Sequence, residues 1–273
     1  MKIIDLSIPI KNKAMEPQSS TIKYVGYKLG ALLLGLEGLT YKGKPLKTFW
    51  NYLLFLLGVK KVSAGDFPDG LGLSWDNIKT MSHRGTHVDA PSHYGPTCEG
   101  KKAKTCSELP LEWFFSDGVL LDMGHKGKKE IITLNDIKDE LKAIDYRIKP
   151  YDIVLIRTGM DKFWDHDNYL LDSPGLAPEG VEWIINQGVK VIGIDSYSLD
   201  LPASVMVNSY LRDRNKQHLW PTHMLGRKYE YCHIEKLANL DKLPARKGFT
   251  VCSFPVHIEN ASAGWCRTVA IFN

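Results

Sequence analysis

Between Gly118 and Asp195 the chain alternates short apolar runs with amphipathic ones, and this alternation restricts its fold more than any other feature. Residues 118–123 (GVLLDM) are a short apolar run, either a buried strand or a helix fragment. In 133–144 (TLNDIKDELKAI), Leu134, Ile137, Leu141 and Ile144 recur at helical spacing on one face. Thr133 and Asp136 resemble a capping box, with Asp where Glu or Gln is usual. Residues 152–158 (DIVLIRT) read as a buried strand. Residues 178–187 read as a helix, with Pro178 near its start and Gly188 just past its end. Residues 189–195 (VKVIGID) are the next strand. Strand, helix, strand in this order predicts parallel pairing through a crossover helix, hence an α/β fold. Residues 3–10, 249–254 and 267–272 read as further strands. Without a repeat, a low-complexity tract or a dividing linker, one domain over residues 1–273 is expected.

Two segments stand apart from this pattern. Residues 29–39 (LGALLLGLEGL) and 49–59 (FWNYLLFLLGV) are strongly apolar and are separated by Gly43, Lys44, Pro45 and Lys47. Each is about half the ~20 residues that a membrane span needs. Contact with a membrane surface is the weaker expectation. A buried helical hairpin or a contact between subunits is the stronger one. The net charge of +4 comes from scattered basic residues, without the stripe or motif of a nucleic-acid binder. Five dispersed cysteines with no CxxC fit reduced thiols in a cytoplasmic protein. MKIIDLSIPIKNK lacks the apolar core of a signal peptide.

Chemistry concentrates in residues 83–93 (HRGTHVDAPSH), which hold three of the nine histidines and one aspartate. His83, His87, Asp89 and His93 are separated by even steps, so an extended chain points them all to one face. A straight strand would spread them over roughly 33 Å. Metal ligands sit about 2.0–2.2 Å from an ion, so the chain must bend. Gly85 permits the bend and Pro91 ends regular pairing. A helical turn from His83 to His87 is the alternative, although Gly85, Thr86 and Val88 disfavour a long helix. Imidazole with carboxylate suits Zn²⁺, Mn²⁺ or Fe²⁺, and an incomplete ligand set is the mark of a catalytic site. A second cluster, residues 218–235 (HLWPTHMLGRKYEYCHIE), holds His218, His223, His233 and two glutamates. Composition alone does not say which of these converge on the first cluster. Trp50, Phe67, Trp75 and Trp220 are candidates for a pocket wall or for core. Asp195, at a strand end, is a candidate to orient a histidine or, as the stronger expectation, to cap the strand.

HRGTHVDAPSH fits the pattern HxGTHxDxPxH, and the chain resembles the cyclase-like metal-dependent hydrolases. That superfamily includes bacterial kynurenine formamidase and isatin hydrolase. The likeness continues through IIDLSIPI, DIVLIRTG, SPGLAPEGVEWIINQGVKVIGIDS, HMLGRKYEYCHIEKLANLDKLP and FPVHIENASAGWCRTVAIFN. Residues of about 20–65 form a longer apolar segment than in the compact formamidases. The resemblance implies a swivelling β/β/α domain with mixed sheets. It implies His83, His87 and Asp89 as metal ligands and His93 as the acid/base. A histidine followed twelve positions later by a glutamate matches His223 and Glu235, the remaining ligands; His218 and His233 fall outside the set. One or two Zn²⁺ or Mn²⁺ ions per subunit, a small-molecule substrate and a homo-oligomer (dimer or tetramer) follow from the same likeness.

The expected chemistry is cleavage of a C–N bond in a small amide, lactam or formamide. The cation acidifies water for attack on the carbonyl and stabilises the developing oxyanion, while His93 moves the proton. No GxSxG nucleophile motif is present. The alternative keeps the metal but makes the enzyme a cyclase or dehydratase of a natural-product, polyketide-like intermediate. A third reading, a metal-binding protein without turnover, requires a fully protein-coordinated ion.

Overall fold

A computed structural model describes residues 1–12, 14, 16–17 and 19–272. In chain order the strands are β1 (Lys2–Asp5), β2 (Thr21–Val25), β3 (Trp75–Lys79), β4 (His87–Asp89), β5 (Thr97–Cys98), β6 (Lys101–Lys102), β7 (Phe115–Asp122), β8 (Ile131–Ile132), β9 (Ile153–Arg157), β10 (Gly175–Leu176), β11 (Val191–Ile194), β12 (Cys232–Glu235), β13 (Phe249–Cys252), β14 (Ala263–Trp265) and β15 (Val269–Phe272). The α-helices are α1 (Tyr27–Glu37), α2 (Pro45–Leu56), α3 (Pro91–Tyr94), α4 (Leu134–Ala143), α5 (Asp167–Leu171), α6 (Pro178–Asn186), α7 (Ala203–Asp213) and α8 (Pro221–Leu225). By internal contacts the chain divides into two compact units, one of residues 1–10, 14–18 and 81–273, the other of 11–13 and 19–80.

The larger unit is built on a nine-stranded sheet in the order β1-β15-β13-β7-β9-β11-β12-β4-β14. Its centre, β7-β9-β11-β12, is parallel throughout. β9 reaches β11 through α6, the crossover helix that the periodicity predicts. The flanks are antiparallel, β13 and β15 on one side, β4 and β14 on the other. The sheet is therefore mixed, and Val154, Leu155 and Ile156 of β9 are buried on both faces, as a covered parallel strand requires. One core layer packs Ile137 and Leu141 of α4 with Val181 and Ile184 of α6 against Val119, Val154 and Ile192. A second layer, with Leu6, Trp113, Phe114, Leu155 and Ile234, covers the opposite face. The run at 118–123 resolves as strand. Asp195 takes the strand-end role. Its carboxylate accepts from Thr158 N (2.7 Å), Thr158 Oγ1 (2.6 Å) and Gly159 N (2.8 Å), all on the loop that follows β9.

In the smaller unit β2 and β3 pair antiparallel from Thr21↔Lys79 to Val25↔Trp75. Both apolar segments form helices, α1 and α2. α1 approaches the segment around Leu73 through glycine: a Cβ at Gly30 would lie 1.8 Å from the Leu73 carbonyl oxygen. α2 departs from the expectation of a buried hairpin. Its buried residue is Asn51, whose Nδ2 donates to Leu39 O (3.2 Å) and whose Oδ1 accepts from Lys60 Nζ (2.9 Å). Leu46, Phe49, Trp50 and Leu56 are exposed. Leu46, Phe49, Trp50, Leu53 and Leu56 recur at helical spacing, so periodicity gives the helix an apolar face, and the structure instead buries the side that carries Asn51.

Candidate metal centre

The HRGTH turn is fixed by backbone and hydroxyl contacts before any of its histidines is considered. Gly85 has φ of +63°, the left-handed region that glycine occupies without strain. Thr86 Oγ1 accepts from Ile8 N (2.9 Å) and donates to the Lys236 carbonyl, tying the motif to the N-terminal segment and to the residue after Glu235. The chain then enters β4, which pairs antiparallel with β12. That register sets His87 opposite Glu235 and Asp89 opposite His233. Side chains two apart in a strand share a face, so all four project to the same side of the sheet. Pro91 opens α3, which carries His93 back over this face.

The donor atoms converge. His83 Nδ1 lies 2.7 Å from Asp89 Oδ1, and His87 Nε2 lies 3.2 Å from the same oxygen. His87 Nε2 is 3.8 Å from Glu235 Oε2. His223 Nε2 is 3.6 Å from Glu235 Oε1 and 3.9 Å from Asp89 Oδ2. Two sets of donors, Asp89/His223/His233/Glu235 and His83/Asp89/His93, each lie within 4.8 Å of one another and share Asp89. His93 reaches the cluster edge, its ring centroid 4.2 Å from that of His83 and 5.4 Å from that of His223.

The imidazoles are oriented by contacts on their far nitrogens. His87 Nδ1 sits 2.8 Å from the Gly85 carbonyl, an acceptor, so that nitrogen carries the proton and Nε2 presents its lone pair to the carboxylates. His223 Nδ1 lies 2.6 Å from Asp200 Oδ2. Asp200 also accepts from Thr222 N (2.8 Å) and His223 N (3.2 Å), which seats the first turn of α8. This carboxylate–histidine pairing is the kind that aims metal-ligating imidazoles. Sequence reasoning offers Asp195 for that role and misses Asp200, because only the loop after β11 brings Asp200 and His223 together.

His233, which the family likeness leaves outside the ligand set, also sits in the cluster. It is buried, with Nε2 2.7 Å from Tyr231 Oη and Nδ1 3.9 Å from Glu235 Oε1. The signal that could have found it is strand parity: His233 and Glu235 are two apart in β12. His218, by contrast, pairs with Asp213 at 2.8 Å on the α7 side of the molecule.

Electrostatically the cluster holds more negative charge than its burial tolerates unaided. Burial pushes the Asp89 carboxyl up, but His87, His83 and His93 outweigh it and hold it well below the usual range. Burial and Asp89 push Glu235 up, while His233, His223 and His87 keep it below its ordinary value. Burial lowers His223, yet the Asp200 hydrogen bond and Glu235 raise it to about 9. Burial pushes His93 down to about 4, helped by His83 and His223 against the pull of Asp89. His87 Nε2, both Asp89 oxygens, His233 Nδ1 and Glu235 Oε1 are buried without a hydrogen bond among the described residues. Buried polar atoms of this kind are normally satisfied, and imidazole lone pairs facing two carboxylates are the donor set of a divalent cation.

A cavity of about 410 Å³ opens onto the cluster. His83, His93, His223 and Glu235 form its polar end, and Leu170, Leu171, Leu201, Pro202, Met206 and Trp220 are among its apolar walls. Trp220 is thus a wall residue, as the sequence allowed. Trp50, Phe67 and Trp75 belong to the smaller unit.

Mixed α/β architecture and a buried His/Asp/Glu cluster beside an apolar cavity define a protein built for cation-assisted chemistry on a small molecule. The chain belongs to the putative cyclase family, which it matches over residues 4–201. It is similar to a kynurenine formamidase of Erythrobacter litoralis, 29% identical over 240 residues that cover 83% of this chain and 94% of the relative. It is also similar to an isatin hydrolase of Roseibium aggregatum, 25% identical over 222 residues covering 78% and 80%. Isatin hydrolase A from Ralstonia solanacearum shares the fold, with a TM-score of 0.71 over 100% of this chain and 92% of that one at 20% identity.

Proposed function

We propose that the protein is a metal-dependent hydrolase that cleaves a C–N bond in a small amide, lactam or formamide. The observation that carries this reading is the group of buried, hydrogen-bond-free donor atoms on His87, Asp89 and Glu235, facing one another across β4 and β12. His83, His87, Asp89, His223 and Glu235 are the residues that would hold the cation, with Zn²⁺ or Mn²⁺ matching their nitrogen and oxygen donors. When bound, a divalent cation acidifies water and polarises a carbonyl. The protein's own part is positioning and proton transfer. His93, at the cluster edge and against the cavity, takes a proton from the attacking water and returns it to the leaving nitrogen. The apolar walls hold the body of the substrate and exclude bulk water. A cytoplasmic homo-oligomer is the form in which we expect the enzyme to act.

The test is a screen of zinc- and manganese-loaded protein against formamides, isatins, lactams and small esters, with His87→Ala as control. Wild type is expected to open at least one C–N substrate, and H87A to lose bound metal and turnover together. Inertness of the loaded wild type to every compound, or full metal content in H87A, contradicts the reading.

A further inference from the structure

The apolar surface available to a substrate does not end with the first cavity. A second cavity of about 270 Å³ adjoins it: Asp200, Leu201 and Met206 line both. Leu176, Ala177, Pro178, Val205 and Pro221 wall the second cavity, and Ser209, Gln217 and His218 make its edge polar. We propose that the two cavities form one elongated binding site. The reacting carbonyl lies at the His93 end, and an apolar tail passes Leu201 and Met206 into the second cavity. The enzyme therefore prefers amides or lactams carrying an alkyl or aryl-alkyl tail over compact ones. The position of the carbonyl rests on the hydrolase reading above; the tail site does not.

The wall between the cavities is made of side chains that move at little cost. Met206 is buried, unbranched and polarizable, the kind of residue that repacks around an apolar guest. Its sulfur makes only a weak polar contact, Sδ accepting from Trp220 N at 3.3 Å. The backbone at Leu201 is instead pinned, since a Cβ at Gly175 would lie 2.4 Å from Leu201 N. A tail that passes between the cavities therefore runs against the side chains of Leu201 and Met206, which line both. Asp200 does not repel a passing tail, because both of its oxygens are engaged by Thr222 and His223. The solvent-facing Gln217 and Glu179 at the far edge leave room for a tail with a polar end.

Each buried methylene contributes roughly fourfold in affinity. Binding of formanilides with a methyl, hexyl or decyl group para to the nitrogen, read by calorimetry alongside turnover, tests the proposal. Wild-type affinity is expected to rise at least about tenfold from methyl to hexyl. Val205→Trp and Ser209→Phe, each filling the second cavity and checked for an unchanged melting transition, are expected to flatten that rise. Affinity independent of tail length in the wild type, or a rise retained in both variants, overturns the proposal. A length-dependent affinity in protein that hydrolyses neither the formanilides nor any lactam, isatin or ester of the screen contradicts the hydrolase reading and leaves the tail site standing.

Discussion

At the scale of single residues, geometry separates two kinds of histidine that the sequence presents alike. His87 and His223 have one nitrogen committed to the protein, at Gly85 and Asp200, and the other turned to the carboxylates. His93 is at the edge of the cluster, against the cavity, and burial favours its neutral form. Replacing His93 by Ala should accordingly leave metal content unchanged while lowering kcat about 10²- to 10⁴-fold, the usual contribution of a positioned acid/base. Elemental analysis together with steady-state kinetics reads both quantities, and unchanged turnover removes His93 from the mechanism. The spacing of HRGTHVDAPSH makes the first cluster legible because His83, His87, Asp89 and His93 all lie within residues 83–93. His223 and Glu235 are legible only through family resemblance. Asp200 carries no local signal, since its partner is 23 residues away.

Elements show why some predictions from periodicity succeed and others do not. α4 has a single apolar stripe, and the structure buries Ile137 and Leu141 from it. Its N-terminus is the capping box read from Thr133 and Asp136. Asp136 Oδ2 accepts from Thr133 N and Oγ1, each at 2.6 Å, and from Lys126 Nζ at 2.9 Å. Burial raises the carboxyl, but these contacts together outweigh it and hold Asp136 down at about 2. A carboxyl lowered on folding stabilises fully above its unfolded value of 3.8 and loses that contribution as pH falls through about 2. Asp136→Asn should therefore cost about 1 kcal/mol at pH 7, as loss of a cap does, and only a fraction of that near pH 2. Urea melts at the two pH values measure this, and an equal cost at both contradicts the role given to the ionised carboxylate. α2 also has an apolar stripe, Leu46, Phe49, Trp50, Leu53 and Leu56, yet Phe49, Trp50 and Leu56 are exposed and Asn51 is buried, because periodicity locates an apolar face without saying what covers it.

For the whole molecule, sheet topology accounts for the site. The parallel strands read from the alternation over 118–195 build the sheet centre, but none of them carries a donor of the cluster. The donors on strands come from β4 and β12, which are distant in sequence and meet only through antiparallel pairing, His87 opposite Glu235. Short strands such as β4, three residues long, are below what alternation can reveal, and long-range pairing has no local signature. We propose that this pairing lets Asp89 and Glu235 share a divalent cation. An anomalous difference map from a crystal grown with zinc or manganese tests it most directly. A peak is expected about 2.0–2.2 Å from a carboxylate oxygen of each residue; a map with metal bound elsewhere, or with none between β4 and β12, rules the shared site out.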